Sequence, residues 1–216
     1  MKIKGAIFDL DGTLLNSMDY WGKIAEEYLA SRGLSTEDNT NRRFLENGMA
    51  NWYKWCQENL GLDEDYQTVK TWIYSEMDKK YATVISAKDG VREMLAKLKA
   101  HGVKICLATA TDRASVEKIL DRLDMAKYFS RIFTCGEHGS KREIGIYNTA
   151  LDFLGTPKDE TYVFEDAHYA LKTAHDGGFK TVCVYDKNVF VPKDEMKALC
   201  DVYLEAEDRY SLDIEA

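Results

Sequence analysis

Carboxylates follow two separate apolar segments of the chain. One segment ends at Asp9 and Asp11, and the other ends at Glu165 and Asp166. If these segments are neighbouring strands, the carboxylates repel one another and the pKa of one rises unless a cation is present. Mg²⁺ prefers oxygen ligands and keeps positions for water and for phosphate oxygens. We therefore predict a Mg²⁺ site formed by these four residues, with Asp166 preferred over Glu165 as a direct ligand.

A hydroxyl and two cations lie at comparable positions. Thr109 and Ala110 end a third apolar segment, and Lys141 with Arg142 precedes an amphipathic stretch. A cation beside the carboxylates would hold a phosphate oxygen and neutralise a nucleophilic carboxylate, while the Thr109 hydroxyl would donate to another oxygen. We favour Lys141 as this cation, with Arg142 as the alternative. The combination predicts phosphoryl transfer, in which positioning and charge neutralisation supply most of the rate.

The two aspartates near the N-terminus can divide the chemistry. With Leu10 buried between them, Asp9 would be the nucleophile that forms an aspartyl-phosphate. Asp11 would act first as acid for the leaving group and then as base for water. Gly12 lets the backbone turn close to a phosphate, and we count Gly12, Thr13, Ala110 and Arg142 as substrate-binding candidates.

Short apolar segments alternate with amphipathic helical patterns, which indicates an α/β fold. This alternation predicts a doubly wound, Rossmann-like parallel sheet that binds ligands beyond the carboxyl ends of its strands. Gly102 and Gly155 follow two of the helical patterns, as residues that can adopt the left-handed conformation. The predicted strands are Ile3 to Phe8, Val103 to Ala108, Arg131 to Thr134, Thr161 to Phe164, Thr181 to Val184 and Val202 to Leu204.

Residues 15–86 interrupt the alternation. They contain helical patterns and no convincing strand, so we predict a helical cap domain at 15–86, acting as a lid, and a core domain formed by 1–14 and 87–216. In the cap, Arg43 could present a guanidinium to an anionic substrate. Asn47 lies where a cap loop could reach the site.

Composition narrows the functional classes. The 216 residues carry a formal net charge of −8, which disfavours nucleic acid and anionic membranes as partners. No apolar run approaches the length of a membrane-spanning helix. The five cysteines form no CxxC pair, and this usage favours a cytoplasmic protein. We expect a monomer as the default state. The acidic segment from Glu205 onwards is expected to be a solvated tail or final turn.

The motifs taken together resemble the haloacid dehalogenase superfamily. The segment Ile7 to Leu14 is similar to its DxDGT motif, and Thr109, Lys141 and Glu165-Asp166 stand where its later motifs fall. The resemblance implies Asp9 as nucleophile, Asp11 as acid and base, and Mg²⁺ held by Asp9, the Asp11 carbonyl and Asp166. It also implies a helical cap after the first motif.

Two positions depart from the subgroup with such a cap. Arg142 stands where a proline usually follows the lysine, and Trp21 stands where sugar-phosphate mutases carry a histidine. We therefore predict a Mg²⁺-dependent phosphatase of a small phosphorylated metabolite, with sugar phosphates included. A phosphosugar mutase is the alternative, and a non-catalytic binding protein is the least favoured hypothesis.

Overall fold

A computed structural model describes residues 1–35, 39–208 and 210–214. Its central element is a six-stranded parallel sheet in the order β3-β2-β1-β4-β5-β6. This order places β1 between β2 and β4, so residues that follow these three strands meet at one edge of the sheet. The strands are β1 (Gly5–Phe8), β2 (Lys104–Thr109), β3 (Ile132–Thr134), β4 (Thr161–Glu165), β5 (Lys180–Val184) and β6 (Val202–Leu204).

Helices occupy the connections between the strands and the long segment after β1. None of the helices in the described ranges is long and apolar enough to cross a membrane. They are α1 (Met18–Ser31), α2 (Thr40–Asn47), α3 (Met49–Leu60), α4 (Tyr66–Thr83), α5 (Val91–Ala100), α6 (Arg113–Arg122), α7 (Cys135–His138), α8 (Gly145–Leu154), α9 (His168–Asp176) and α10 (Lys193–Lys197).

The chain forms two compact units. Residues 1–16 and 86–216 make the unit that contains the sheet, and residues 17–85 make a helical unit. We call them the sheet unit and the helical unit. Asn16 and Ser86, the two residues of the sheet unit that flank the helical unit, are hydrogen-bonded to each other through backbone and side chain.

The sheet unit buries its apolar side chains against the sheet. Ile7 of β1, Cys106 of β2 and Val163 of β4 share one core cluster with Ile146 and Tyr147 of α8. The strands are buried along almost their whole length, as expected when helices cover both faces of a parallel sheet. The α/β prediction is therefore confirmed.

Glycine residues end α8 and α5, as the sequence predicts, and an aspartate side chain caps the start of α6. Gly155 follows α8 with φ of 60°, and Gly102 follows α5 with φ of 74°. The left-handed region disfavours residues with a Cβ, so glycine is the natural residue there. At α6, Asp112 accepts a hydrogen bond from the Ser115 backbone N–H at 3.1 Å, which is a typical N-cap.

Aromatic side chains form much of the interior of the helical unit. Trp52 is fully buried, packs edge-on against Tyr28 and Phe44, and donates its indole N–H to the Thr40 hydroxyl at 2.8 Å. Large aromatic side chains bury much apolar area per residue, which suits a small four-helix unit.

Strand ends differ from the prediction by one or two residues. β1 begins at Gly5 rather than Ile3, and β3 begins at Ile132 rather than Arg131. The expectation of a solvated segment after Glu205 is wrong for part of it, because Tyr210 and Leu212 are buried. The segment is rich in acidic residues, but burial of its apolar side chains is favourable and brings Tyr210 and Leu212 into the interior.

Candidate active site

Asp9 follows β1 directly and lies at the carboxyl edge of the sheet. Its backbone N–H continues the sheet pairing by donating to the Phe164 carbonyl at 3.0 Å, which holds Asp9 beside the end of β4. The Asp9 side chain is only 7% exposed. Burial raises the pKa of Asp9 to about 7, against the opposing effect of the Lys141 charge. Leu10 is fully buried, as the assignment of both aspartates to the site requires.

Lys141 is the cation that contacts the nucleophile candidate. Its Nζ forms buried ion pairs with Asp9 and, at 2.6 Å, with Glu165 Oε1. Burial alone lowers the pKa of a lysine, but the charges of Asp9 and Glu165 outweigh burial and raise the Lys141 pKa well above its usual value. Lys141 therefore stays protonated between two carboxylates.

Arg142 lies apart from this ion-pair cluster. Its side chain is exposed and its guanidinium stacks over the Tyr169 ring, 4.2 Å from the ring centroid. Among the contacts of the described residues, it is Lys141 rather than Arg142 that reaches Asp9. A role for Arg142 in substrate binding stays a prediction.

Glu165 and Asp166 end β4 but have different partners. Glu165 Oε1 accepts hydrogen bonds from Lys141 and, at 3.1 Å, from the Tyr147 hydroxyl. Asp166 Oδ1 accepts a hydrogen bond from the Thr13 hydroxyl at 3.0 Å. Burial, followed by the charges of Asp9 and Glu165, raises the pKa of Asp166 well above its usual value.

These carboxylates fit a hard divalent cation. One oxygen from each of Asp9, Glu165 and Asp166 lies within 4.8 Å of the others, and all three side chains are buried. Desolvated carboxylates at this spacing repel one another unless a positive charge joins them, and oxygen donors are the ligands of Mg²⁺. Both Glu165 oxygens accept hydrogen bonds, Oε1 from Lys141 and Tyr147 and Oε2 from the Ala167 backbone N–H at 3.4 Å, whereas the contacts of Asp9 and Asp166 with other described residues engage only Oδ1 of each. Asp9 and Asp166 are therefore the better placed direct ligands.

The β2 end and the Asp11 loop share a hydroxyl network. Thr109 is buried and its Oγ1 accepts a hydrogen bond from the Thr111 backbone N–H at 3.1 Å, which leaves its own proton available to a ligand. The Thr111 hydroxyl donates to Asp11 Oδ2 at 2.5 Å. Ala110 lies between these threonines and is exposed. Gly12 has φ of 82°, which explains why a glycine follows Asp11.

The two remaining candidates belong to the helical unit. Arg43 stacks over the Trp55 ring at 4.1 Å, and its buried Nε has no hydrogen-bond partner among the described residues. Asn47 is exposed at the end of α2, where its carbonyl accepts from the Asn51 side chain at 3.0 Å. Their part in substrate binding remains a prediction.

Three side chains near the site received no role from the sequence. Thr111 contacts Asp11, Tyr147 contacts Glu165, and Tyr210 donates its hydroxyl to the Thr13 carbonyl. The position of Thr111 two residues after Thr109 is a usable signal. Tyr147 fits the apolar pattern of α8, and Tyr210 lies in an acidic segment, so neither pattern distinguishes them from core or tail residues.

The fold and this cluster define an α/β protein with a candidate active site at the carboxyl edge of a parallel sheet. The chain belongs to the haloacid dehalogenase-like hydrolases, whose family profile matches residues 6–184. The helical unit falls within that match.

Individual relatives are distant but cover most of the chain. A phosphorylated carbohydrates phosphatase of Thermotoga maritima is 24% identical over 83% of this chain and 84% of its own. An N-acetylmuramic acid 6-phosphate phosphatase of Pseudomonas aeruginosa is 26% identical over 85% of this chain and 82% of its own. The structure of CbbY from Rhodobacter sphaeroides in complex with phosphate covers 98% of this chain and 97% of its own, with a TM-score of 0.79 and 18% identity. The structural likeness shows the fold.

Proposed function

We propose that this protein is a Mg²⁺-dependent phosphatase that hydrolyses small phosphorylated metabolites through an aspartyl-phosphate on Asp9. The observation that carries the proposal is the buried Lys141 ammonium paired with Asp9, beside the carboxylates of Glu165 and Asp166. This geometry supports Asp9 as the nucleophile, Lys141 as a positive charge for phosphate oxygens, and the neighbouring carboxylates as metal ligands.

In the first step, an Asp9 carboxylate oxygen attacks phosphorus, and the bond from phosphorus to the leaving oxygen breaks. Asp11 donates a proton to that oxygen, and its contact with the Thr111 hydroxyl holds the Asp11 side chain in one orientation. Lys141 and the Thr109 hydroxyl bind phosphoryl oxygens and neutralise or share their charge.

In the second step, Asp11 accepts a proton from water as the water oxygen attacks the phosphorus of the aspartyl-phosphate. The phosphorus–Asp9 oxygen bond breaks, inorganic phosphate is released and Asp9 returns to a carboxylate. Asp9, Asp166 and the Asp11 carbonyl would hold Mg²⁺, which would neutralise charge on the phosphoryl oxygens. Glu165 restrains Lys141 through a second ion pair.

Sugar phosphates are the substrate class we favour. The names of the Thermotoga and Pseudomonas relatives both specify phosphorylated carbohydrate substrates, at identities of 24% and 26%. Trp21 donates its indole N–H to the Tyr81 hydroxyl at 3.0 Å and stacks near Phe44, so it offers no titratable nitrogen in place of a mutase histidine. Nothing in the described residues favours the mutase over the phosphatase.

The test is phosphate release from a panel of sugar phosphates and an aryl phosphate, with Mg²⁺ or with EDTA. We expect Mg²⁺-dependent release by the wild type and a fall of roughly 10³-fold or more in Asp9→Asn, because the amide cannot serve as the nucleophile. Release that persists in Asp9→Asn would contradict the proposed nucleophile. Isomerised sugar phosphate without free phosphate would instead establish the mutase, and ligand binding without turnover would establish the binding protein.

A further inference from the structure

Tyr210 lies far along the chain from the catalytic motifs but is buried in the sheet unit. Its side chain is 7% exposed, and its hydroxyl donates a hydrogen bond to the Thr13 carbonyl across 197 positions of sequence. Thr13 is itself fully buried, and its own hydroxyl donates to Asp166 Oδ1 at 3.0 Å. Hydrogen bonds therefore connect Tyr210, Thr13 and Asp166 in series.

The segment around Tyr210 is fixed independently of this contact. Leu212 is 4% exposed, and its carbonyl accepts a hydrogen bond from Lys97 Nζ at 2.5 Å. Tyr210 also has φ of 57°, a left-handed conformation that an aromatic residue rarely adopts. Such a conformation persists only where surrounding contacts determine it, so the burial of Tyr210 and Leu212 and the Lys97 contact hold this backbone conformation.

The Tyr210 hydroxyl acts as a hydrogen-bond donor to the Thr13 carbonyl. Burial, with the nearby charge of Asp166, raises the pKa of Tyr210 well above its usual value, so the hydroxyl keeps its proton and donates to the Thr13 carbonyl. The donated bond restrains the Thr13 backbone, and the Thr13 hydroxyl in turn restrains rotation of the Asp166 carboxylate. Side chains that hold a metal ligand in place by hydrogen bonds, without binding the metal themselves, commonly affect metal affinity.

We propose that Tyr210 is a positioning residue for the metal ligand Asp166, acting through Thr13. This inference rests on the Mg²⁺ site of the proposed function. It gives the segment after β6 a part in the chemistry of a site that is otherwise built from residues 9–166. Because Tyr210 acts through Thr13 on a metal ligand, its contribution should be seen first in Mg²⁺ affinity.

The test compares Tyr210→Phe with the wild type, both as full-length chains. Calorimetry without substrate measures the Mg²⁺ dissociation constant, and a thermal scan without Mg²⁺ measures folding. We expect Tyr210→Phe to bind Mg²⁺ about two- to tenfold more weakly, the range that loss of one hydrogen bond implies. At saturating Mg²⁺, the KM for substrate should stay within about twofold of the wild type, since the ring of Phe still fills the core.

Tyr53 provides the matched control. Its hydroxyl also donates to a backbone carbonyl, that of Glu64 at 3.0 Å, but within the helical unit. Tyr53→Phe should lose a similar hydrogen bond without changing Mg²⁺ affinity. If both variants change Mg²⁺ affinity equally, the effect is general destabilisation and the proposal is wrong.

A double variant separates positioning from packing. Thr13→Val removes the hydroxyl that contacts Asp166, so adding Tyr210→Phe should weaken Mg²⁺ binding by less than the product of the single effects. Unchanged Mg²⁺ affinity in Tyr210→Phe, with wild-type binding intact, overturns the positioning role alone. Absence of Mg²⁺ binding by the wild type overturns the metal site and this inference together. If Tyr210→Phe does not fold, Leu212→Ala takes its place, because this change loosens the segment but keeps the Tyr210 hydroxyl. Weaker Mg²⁺ binding by Leu212→Ala supports the positioning role, and unchanged Mg²⁺ affinity overturns it.

Discussion

Lys141 shows how a single buried charge organises the residues around it. Its ammonium lies between Asp9 and Glu165, and Tyr147 donates to the same Glu165 oxygen that Lys141 contacts. Removing one member of a buried ion pair leaves the other charges buried without a partner, which is strongly destabilising. We therefore expect Glu165 to hold Lys141 close to Asp9.

Thr111 gives a test of the proposed acid and base at the residue scale. Its hydroxyl is the donor to Asp11 Oδ2, so Thr111→Val should remove one of the contacts that orient the Asp11 side chain. We expect kcat for phosphate release to fall by roughly tenfold, which is less than the roughly 10²–10⁴-fold contribution of a general acid or base, because Asp11 itself is retained. Steady-state kinetics at saturating Mg²⁺ measures this change in kcat.

Thr111→Ser is the control for this prediction, because it retains the hydroxyl. It should keep most of the wild-type rate. Equal losses in Thr111→Val and Thr111→Ser would show that the methyl group, rather than the contact with Asp11, matters.

Sequence patterns predicted the candidate site residues that follow a strand or stand at a motif position, but not those whose positions carry no such signal. Asp9 and Asp11 follow an apolar strand in a DxDGT motif, and the structure brings Lys141 and Asp166 to the same edge of the sheet. Tyr147 and Tyr210 have no such signal. Their positions depend on which face of α8 and which turn after β6 meets the sheet, and this is decided by packing over the whole chain.

At the scale of single elements, the end of α8 offers a clean measurement. Gly155 has φ of 60°, and an added Cβ would meet only Lys104 Nζ at 3.9 Å, an ordinary contact distance. Gly155→Ala should lower the free energy of unfolding by about 1 kcal/mol, because a residue with a Cβ is strained in the left-handed region. Urea denaturation of the full chain measures it.

Gly145, the first residue of the same helix, is the matched control. Its backbone is not in the left-handed region and nothing lies within 4 Å of an added Cβ. Gly145→Ala should therefore be neutral or raise the free energy of unfolding by up to about 1 kcal/mol. Equal destabilisation by both substitutions would contradict the role of backbone conformation.

In the helical unit, Glu64 links α1 to the segment before α4. Its Oε1 accepts from Arg32 Nε at 2.8 Å, and its Oε2 accepts from Arg32 and from the Tyr28 hydroxyl. The hydrogen bonds from Arg32, then from Tyr28, lower the pKa of Glu64 below its usual 4.5. A carboxyl with a lowered native pKa stabilises the fold above the unfolded pKa, and this stabilisation is lost as pH falls through the native pKa.

The expected pH dependence follows from that sign. Glu64→Gln should be less stable than the wild type at pH 7, and the difference should shrink as pH falls below about 4.5. Urea titrations at pH 7 and pH 3.5 measure it. Glu46→Gln, which breaks the exposed ion pair with Arg42, should change stability little at either pH. A pH-independent loss in Glu64→Gln would show that the charge of Glu64 is not responsible.

At the scale of the whole molecule, Mg²⁺ binding should be linked to folding. A ligand at 100 times its dissociation constant stabilises the native state by about 2.7 kcal/mol, which raises Tm by about 5–10 °C for a chain of this size. Differential scanning calorimetry with Mg²⁺ and with EDTA measures the shift. Asp166→Asn should lose most of it, and an undiminished shift in that variant would place the ion elsewhere.

The connection between the two units has a consequence for how this chain can change. Leu15 bridges Ala87, and Asn16 donates its side-chain amide to the Ser86 hydroxyl and the Ala87 carbonyl, each at 3.2 Å. The residues on either side of the insertion are thus held together by the sheet unit itself, and the loop-closure entropy of the intervening chain grows only slowly with its length. Helices within residues 17–85 can therefore be inserted, deleted or exchanged without disturbing the two points at which this segment joins the sheet unit. Selection can therefore vary the helical unit while the residues that carry the chemistry remain fixed.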